Sequence, residues 1–131
     1  MSLDRLLGTW EITMRHRMMD EPVRGRQHYS RVLDGAYVLL DWTYEHPDFP
    51  DAMAVLSEHE MHYFDVRGVT RVFELRLYDD GWSMIRLDPS FSQRYRTRFV
   101  GADAMESEGE YSEDGGATWA HDFSMSYVRL G

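Results

Sequence analysis

The chain has 131 residues, 43% of them hydrophobic, and contains no cysteine. This length suits one compact domain over residues 1–131, and the absence of cysteine excludes disulfides, thiolate nucleophiles and cysteine-ligated metals. The net charge of -9 opposes the phosphate attraction on which nucleic-acid binding depends, so neither DNA nor RNA is an expected partner.

The sequence carries no signal for a membrane or for secretion. No run approaches the roughly twenty apolar residues that a bilayer span requires. The opening segment, Met1 to Leu7, lacks an apolar signal core. We therefore expect a cytoplasmic protein without a membrane partner.

Short runs of alternating apolar and polar residues follow a helical turn predicted at residues 3–7. Such runs, separated by glycine-containing turns, are typical of antiparallel strands. Ten strands in one small all-β domain favour a barrel or a sandwich. The predicted strands span residues 9–18, 24–33, 36–46, 53–59, 61–66, 69–78, 82–88, 92–100, 104–112 and 118–129.

The eighth and ninth predicted strands form a hairpin whose register follows from a three-residue loop at 101–103. This register places an arginine opposite a glutamate at three successive positions on one face and apolar residues on the other. We interpret the charged face as a solvent-exposed ladder and not as an anion site. The opposed pairs are Arg98 with Glu106, Arg96 with Glu108 and Arg94 with Glu110.

Features near the two ends of the chain indicate the fold family. Gly8-Thr9-Trp10 opens the first predicted strand, and Arg129 closes the last. This combination resembles the calycin superfamily of lipocalins and fatty-acid-binding proteins. The resemblance implies a single closed antiparallel barrel in which Arg129 packs over the Trp10 indole, a favourable cation-π contact, and seals one end. Gly8, Trp10 and Arg129 are then structural residues.

The second half of the chain also resembles an uncharacterised bacterial calycin-like family, domain of unknown function 1579, through residues 63–69, 91–95 and 114–119. The chain is more distantly similar to nitrobindins, which are haem-binding calycins that open with Gly-x-Trp-x-Gly-x-Gly. Ile12 and Met14 occupy the last two glycine positions of that motif here, which weakens the inference. The resemblance makes haem an alternative cofactor.

Alternation along the first and last strands predicts which side chains face the interior. If Arg129 packs over Trp10, every second residue of both strands also points inward. On the first strand these residues are Ile12, Met14, His16 and Met18, and on the last they are Tyr127, Met125, Phe123 and His121.

The histidines suggest a polar cluster at the end of the barrel opposite the Trp10 indole. Closure of the barrel sets Met18 beside His121, and a symmetric hairpin about Pro22 would set His28 opposite His16 and Arg26 opposite Met18. The hypothesis is that the three histidines converge at the open end and recognise a ligand, with His121 ligating iron if haem is bound. The alternative is three unrelated histidines near solvent.

Arg86 is a second polar candidate, because fatty-acid-binding relatives hold a carboxylate with a buried arginine. The length of the turn at Asp80-Gly81 decides its position. A two-residue turn would place Arg86 beside Leu75 inside the barrel, and a three-residue turn would pair it with Glu74.

No catalytic or metal site is predicted. The sequence His59-Glu-Met-His62 is one residue short of His-Glu-x-x-His, and on a strand its two histidines would face opposite sides. No Gly-x-Ser-x-Gly occurs, so serine hydrolase chemistry has no support.

The sequence therefore predicts a barrel that binds a small, mainly apolar molecule, with catalysis not assigned. The ligand-contacting residues would be His16, Met18, Arg26, His28, Arg86, His121, Phe123 and Met125. The alternatives are a haem protein of the nitrobindin type, a calycin-type isomerase or cyclase acting on a small metabolite, and a barrel filled by its own aromatic side chains. An exposed apolar face such as Ala36 to Leu40 could mark a homodimer contact.

Overall fold

The alternating pattern produces a β-barrel because each strand buries its apolar face inside a sheet that closes on itself. The computed structural model describes residues 2–131, and it contains one 3-10 turn at Leu3–Leu6 followed by ten antiparallel strands. Every strand pairs with its sequence neighbours, and β1 pairs with β10 to close the barrel. The strands β1 to β10 are Gly8–His16, Val23–Val32, Tyr37–Tyr44, Ala52–Leu56, Glu60–Asp65, Thr70–Tyr78, Gly81–Arg86, Ser92–Phe99, Ala104–Ser112 and Ala120–Leu130.

The predicted all-β class, the closed barrel and the number of strands are confirmed. In residues 2–131 no helix is long and apolar enough to cross a bilayer. The hairpin of β8 and β9 has the predicted register throughout. Its ion pairs differ at one rung, because Arg96 contacts Asp80 at 2.8 Å instead of Glu108.

The end of the barrel where β1 begins, called the floor below, is sealed. Trp10 is completely buried, and its indole Nε1 donates a hydrogen bond to the Leu6 carbonyl oxygen at 2.9 Å. Arg129 is the register partner of Trp10, with its guanidinium carbon 4.1 Å from the centroid of the indole. The same guanidinium donates to the carbonyl oxygens of Leu7 and Arg5, so the last strand is tied to the opening turn.

The opposite end, called the mouth, carries the connections β1–β2, β3–β4, β5–β6, β7–β8 and β9–β10. These connections are longer than the two-residue β6–β7 turn at the floor and include polar residues. They leave the interior accessible from this end only in part, because Phe49 packs over the Tyr44 and His16 rings at 5.6 and 5.3 Å. The asymmetry between floor and mouth positions the site described next.

The segment predicted as an exposed apolar face, Ala36 to Leu40, is divided between the interior and the surface. Val38 and Leu40 are fully buried in the core, whereas Tyr37 is 41% exposed. Alternation along β3 explains the difference, since only odd-numbered positions face outward here. The homodimer stays a prediction.

Candidate functional site

A cavity of about 380 Å³ occupies the barrel between the floor and the mouth. Its wall is built by the inward positions of the strands, where alternation places thioethers and aromatic rings. The rings contact one another, as for Tyr95 with Phe73 and Phe123 at 5.6 and 5.2 Å between centroids. Because a cavity of this volume remains between the rings, the alternative of a barrel completely filled by its own aromatic side chains is wrong. The apolar lining includes Met14, Leu40, Trp42, Tyr44, Met61, Phe73, Trp82, Met84, Phe123 and Met125.

Several polar groups deep in the cavity bond to one another, whereas the buried indole Nε1 groups of Trp42 and Trp82, which also line the cavity, have no hydrogen-bond partner among residues 2–131. The Tyr29 hydroxyl donates to Gln27 Oε1 at 2.8 Å, and Thr97 Oγ1 donates to Ser107 Oγ at 3.1 Å. Burial raises the pKa of the Tyr29 and Tyr127 phenols well above the ordinary range, which keeps both phenols neutral. The inner part of the cavity thus offers an uncharged surface whose hydrogen bonds are largely internal.

A chain of hydrogen bonds leads from the middle of the cavity toward its rim. Arg71 donates to Gln93 Oε1 at 3.2 Å, and Gln93 Nε2 donates to the Tyr95 hydroxyl at 2.6 Å. Burial raises the pKa of Tyr95, so this phenol is neutral and can accept the bond. The amide of Gln93 is thereby fixed in one orientation, with its oxygen toward the Arg71 guanidinium.

Three charged or polar side chains meet where the cavity opens at the mouth. One oxygen of Asp122, Oδ1, lies 2.9 Å from Arg17 Nε and 3.2 Å from His16 Nε2. His16 Nδ1 accepts a hydrogen bond from the Met18 amide at 3.2 Å. Desolvation lowers the pKa of His16, Asp122 opposes this effect and Arg17 adds to it. The neutral imidazole with its proton on Nε2 satisfies both contacts.

The predicted position of His121 is wrong. A β-bulge between His121 and Phe123 inserts one extra residue into β10, so alternation reverses at that point. Asp122 consequently takes the inward position and is 5% exposed, while the His121 ring lies on the outer surface with Nδ1 3.5 Å from Glu108 Oε2. His121 does not line the cavity.

The predicted register of β1 and β2 is also wrong. The turn is centred between Met18 and Met19 and not at Pro22, so His28 pairs with Thr9 and Arg26 with Glu11. The shift is an odd number of residues, and it turns both side chains to the outer face. His28 Nδ1 contacts Thr9 Oγ1 at 2.7 Å there. Gln27 and Tyr29 take the inward positions instead.

The remaining predicted ligand contacts divide into two groups. His16, Phe123 and Met125 line the cavity from β1 and β10, and Met18 lines it from the β1–β2 connection, where it is 71% exposed. Met18 does not pair with His121, because β1 ends at His16. Contact of His16, Met18, Phe123 and Met125 with a ligand stays a prediction.

Arg86 follows neither of the two predicted registers. The β6–β7 turn consists of Asp79 and Asp80, and pairing between the strands stops at Glu74 with Ile85, one residue before Arg86. The guanidinium donates to the Phe91 carbonyl oxygen at 2.8 Å and lies 3.4 Å from Asp88 Oδ2. It holds the β7–β8 connection and does not line the cavity.

Sequence reasoning missed the polar residues that line the outer half of the cavity. Alternation places Asp122 on the outer face, between the predicted inward positions His121 and Phe123, because a bulge leaves no mark in an alternating pattern. Gln93 lies directly before the charge ladder and Arg71 in a strand whose facing was not assigned. The inward parity of Phe73 and Leu75, both buried, could have identified Arg71.

Residues 2–131 contain no group of three or more histidine, aspartate or glutamate side chains arranged to hold a metal ion. The two histidines of His59-Glu-Met-His62 do not converge on a common point. His59 lies in the β4–β5 connection and His62 on the outer face of β5.

The sequence matches no known protein-family model and no curated protein. Solved structures with the same architecture do match. The S-type phycobiliprotein lyase CPES from Guillardia theta aligns with a TM-score of 0.64 at 14% identity, over 100% of this chain and 94% of that chain. Rv2717c from M. tuberculosis aligns with a TM-score of 0.62 at 12% identity, over 98% and 95%.

Zebrafish ileal bile acid-binding protein, solved with cholic acid, aligns with a TM-score of 0.57 at 12% identity, over 96% of this chain and 99% of that chain. At these identities the likeness establishes the fold alone. The chain has a calycin-like, ten-stranded barrel fold. Its resemblance to domain of unknown function 1579 and to nitrobindins stays a prediction.

Proposed function

We propose that the barrel binds one small, mainly apolar molecule in its cavity, and we assign no catalysis to it. The observation that carries this proposal is the cavity of about 380 Å³, which lies within the range of small-molecule pockets. The lining is dominated by aromatic rings and thioethers, which gain most from contact with apolar surface. Of the structures similar in fold, one was solved with cholic acid and another is a phycobiliprotein lyase, which supports a role in ligand binding.

The inner surface favours an apolar body over a polar one. Gln27, Tyr29, Thr97 and Ser107 already form hydrogen bonds inside the wall, so a polar group of the ligand would compete with existing bonds. The buried phenols are neutral at physiological pH. Since the floor is sealed by Trp10, the molecule enters and leaves through the mouth.

A fluorescence titration with N-phenyl-1-naphthylamine, a neutral apolar dye, tests the proposal. Ala52 lines the cavity on β4, whereas its neighbour Met53 points outward and is 41% exposed. Ala52→Phe should weaken dye binding by about tenfold or more because the ring occupies part of the cavity, and Met53→Phe should change it by less than about twofold. Equal affinity for both variants, or no binding to the wild-type protein, would contradict the proposal. Native mass spectrometry of freshly purified protein would give the mass of any molecule already bound.

The residues present do not fit a haem iron. His121, the predicted ligand, lies outside the barrel, and His16 is the cavity-lining histidine. Both ring nitrogens of His16 are engaged, one by the Met18 amide and the other by Asp122. A hemin titration tests whether His16 can nevertheless ligate haem. A Soret shift that disappears in His16→Ala would support haem binding.

The other expectations from sequence stay predictions. An isomerase or cyclase activity would be detected as turnover of a metabolite and not as its retention. Cytoplasmic location and a homodimer likewise await measurement.

A further inference from the structure

The rim of the barrel has a notch between β6 and β7. Pairing between these strands ends at Glu74 with Ile85, so the first four residues of β6, 70–73, have no partner on the β7 side. A groove of about 450 Å³ lies outside this notch and is lined on one side by Thr70 and Val72. Arg71 lines both the groove and the interior cavity, so its guanidinium lies at the boundary between them.

Arg71 differs from the other two arginines that line the cavity. Arg17 is paired with Asp122 at 2.9 Å, and Arg67 with Asp65 at 2.6 Å. In the described part of the chain no carboxylate oxygen lies within 4.0 Å of the Arg71 guanidinium, which donates to the neutral Gln93 amide. A partly buried guanidinium without a counter-ion is costly unless an anion approaches it.

The surroundings of Arg71 leave the position open to an anion. The lining carboxylates are Asp122, which is shared by Arg17 and His16, and Asp48, which lies in the β3–β4 connection and forms no ion pair with Arg71. The Phe91 ring centroid is 5.7 Å from the Arg71 guanidinium carbon and provides an apolar wall beside it. Gln93 holds the guanidinium in place, because its own amide is fixed by Tyr95.

We propose that Arg71 binds the anionic group, a carboxylate or a sulfonate, of an otherwise apolar ligand whose body fills the cavity. This inference rests on the proposed function and names the chemical class of its ligand. The anionic group would remain at the notch, where water in the groove still solvates it, and the apolar body would extend toward the floor. A guanidinium can donate two parallel hydrogen bonds to such a group, which is the basis for selecting it over a neutral one.

A matched pair of dyes separates the charge from the apolar body. 8-Anilinonaphthalene-1-sulfonate has the ring system of N-phenyl-1-naphthylamine with one added sulfonate. Arg71→Gln should weaken binding of the sulfonate dye by about tenfold or more and change binding of the neutral dye by less than about twofold. Arg76→Gln is the control, because Arg76 lies on the outer face of the same strand. This substitution removes the same charge without altering the cavity lining.

The outcomes distinguish this inference from the proposed function. Absence of neutral-dye binding to the wild-type protein would refute both. Neutral-dye binding together with equal losses for both dyes in Arg71→Gln, or with equal losses of sulfonate dye in Arg71→Gln and Arg76→Gln, would overturn the anion position alone. If Arg71→Gln fails to fold, the salt dependence of dye binding to the wild-type protein replaces it as the test. Added salt should weaken binding of the sulfonate dye only. Equal salt dependence of the two dyes would contradict the inference.

Discussion

The floor and the mouth of the barrel both contain arginine and aromatic side chains, but these side chains have different partners at the two ends. At the floor, Arg129 packs over Trp10 and donates to backbone carbonyl oxygens, and the Trp10 indole donates to the Leu6 carbonyl oxygen, so both side chains have partners inside the protein. At the mouth, Arg71 lines the cavity without a carboxylate partner, and Asp122 divides one oxygen between two donors. The comparison teaches that Trp10 and Arg129 at the floor have partners within the protein, whereas the mouth retains a guanidinium without a carboxylate partner in residues 2–131.

Removing the floor tryptophan should have the largest effect on stability. Trp10 is completely buried and bonded to the Leu6 carbonyl, so Trp10→Ala should lower the free energy of unfolding by about 3–5 kcal/mol. Trp119, near the mouth, is partly exposed beneath the Arg94 guanidinium, and Trp119→Ala should cost about 1 kcal/mol. Urea denaturation of the two variants measures both values. Similar losses at the two ends would contradict the division between floor and mouth.

Substitution of Gly109, at the cavity wall, should have a smaller effect on stability and should also affect ligand binding. A Cβ added to Gly109 would lie 2.3 Å from the Phe123 ring, which must then move. Gly109→Ala should lower the free energy of unfolding by about 1–3 kcal/mol and weaken binding of N-phenyl-1-naphthylamine, because the displaced ring lines the cavity.

The second substitution Phe123→Leu tests the cause. If the clash is responsible, the double variant should recover stability relative to Gly109→Ala, and a double-mutant cycle should show coupling. Additive losses would mean that Gly109 is required by its backbone and not by the ring beside it.

The same contrast between regions explains which parts of the fold were predictable. The β8–β9 hairpin was predicted pair by pair because the loop between Phe99 and Ala104 is short and its register is restricted by charges on one face and apolar residues on the other. The floor was predictable because Gly8, Trp10 and Arg129 form a contact specific to this kind of barrel. Short turns and specific contacts leave few alternative registers.

The mouth was predicted poorly because its geometry depends on long connections and one bulge. The β1–β2 connection could be centred at several positions, and the choice of Pro22 turned His28 inward when it lies outside. The bulge before Phe123 exchanged His121 for Asp122. In both cases the shift was an odd number of residues, which reverses the facing of a side chain, so the residues most relevant to a ligand were the least determined by pattern.

The smallest expected effect is a shift in the titration of His16 at the mouth. Desolvation places its pKa below the ordinary value of 6.5, and the Met18 amide donating to Nδ1 favours the neutral ring. Between pH 6.5 and the lowered pKa of the folded state, the folded protein binds fewer protons than the unfolded protein. The free energy of unfolding should therefore decrease as the pH falls through this range. His16→Gln should remove this part of the pH dependence.

Two variants should move this pKa in opposite directions. Asp122→Asn removes the carboxylate that favours the charged imidazole, so the pKa of His16 should fall further, whereas Arg17→Gln removes a nearby positive charge and should raise it. NMR titration of the His16 ring protons measures both shifts directly. Shifts of the same sign would mean that the substitutions act by changing the burial of His16, since a direct charge effect must reverse with the sign of the charge removed.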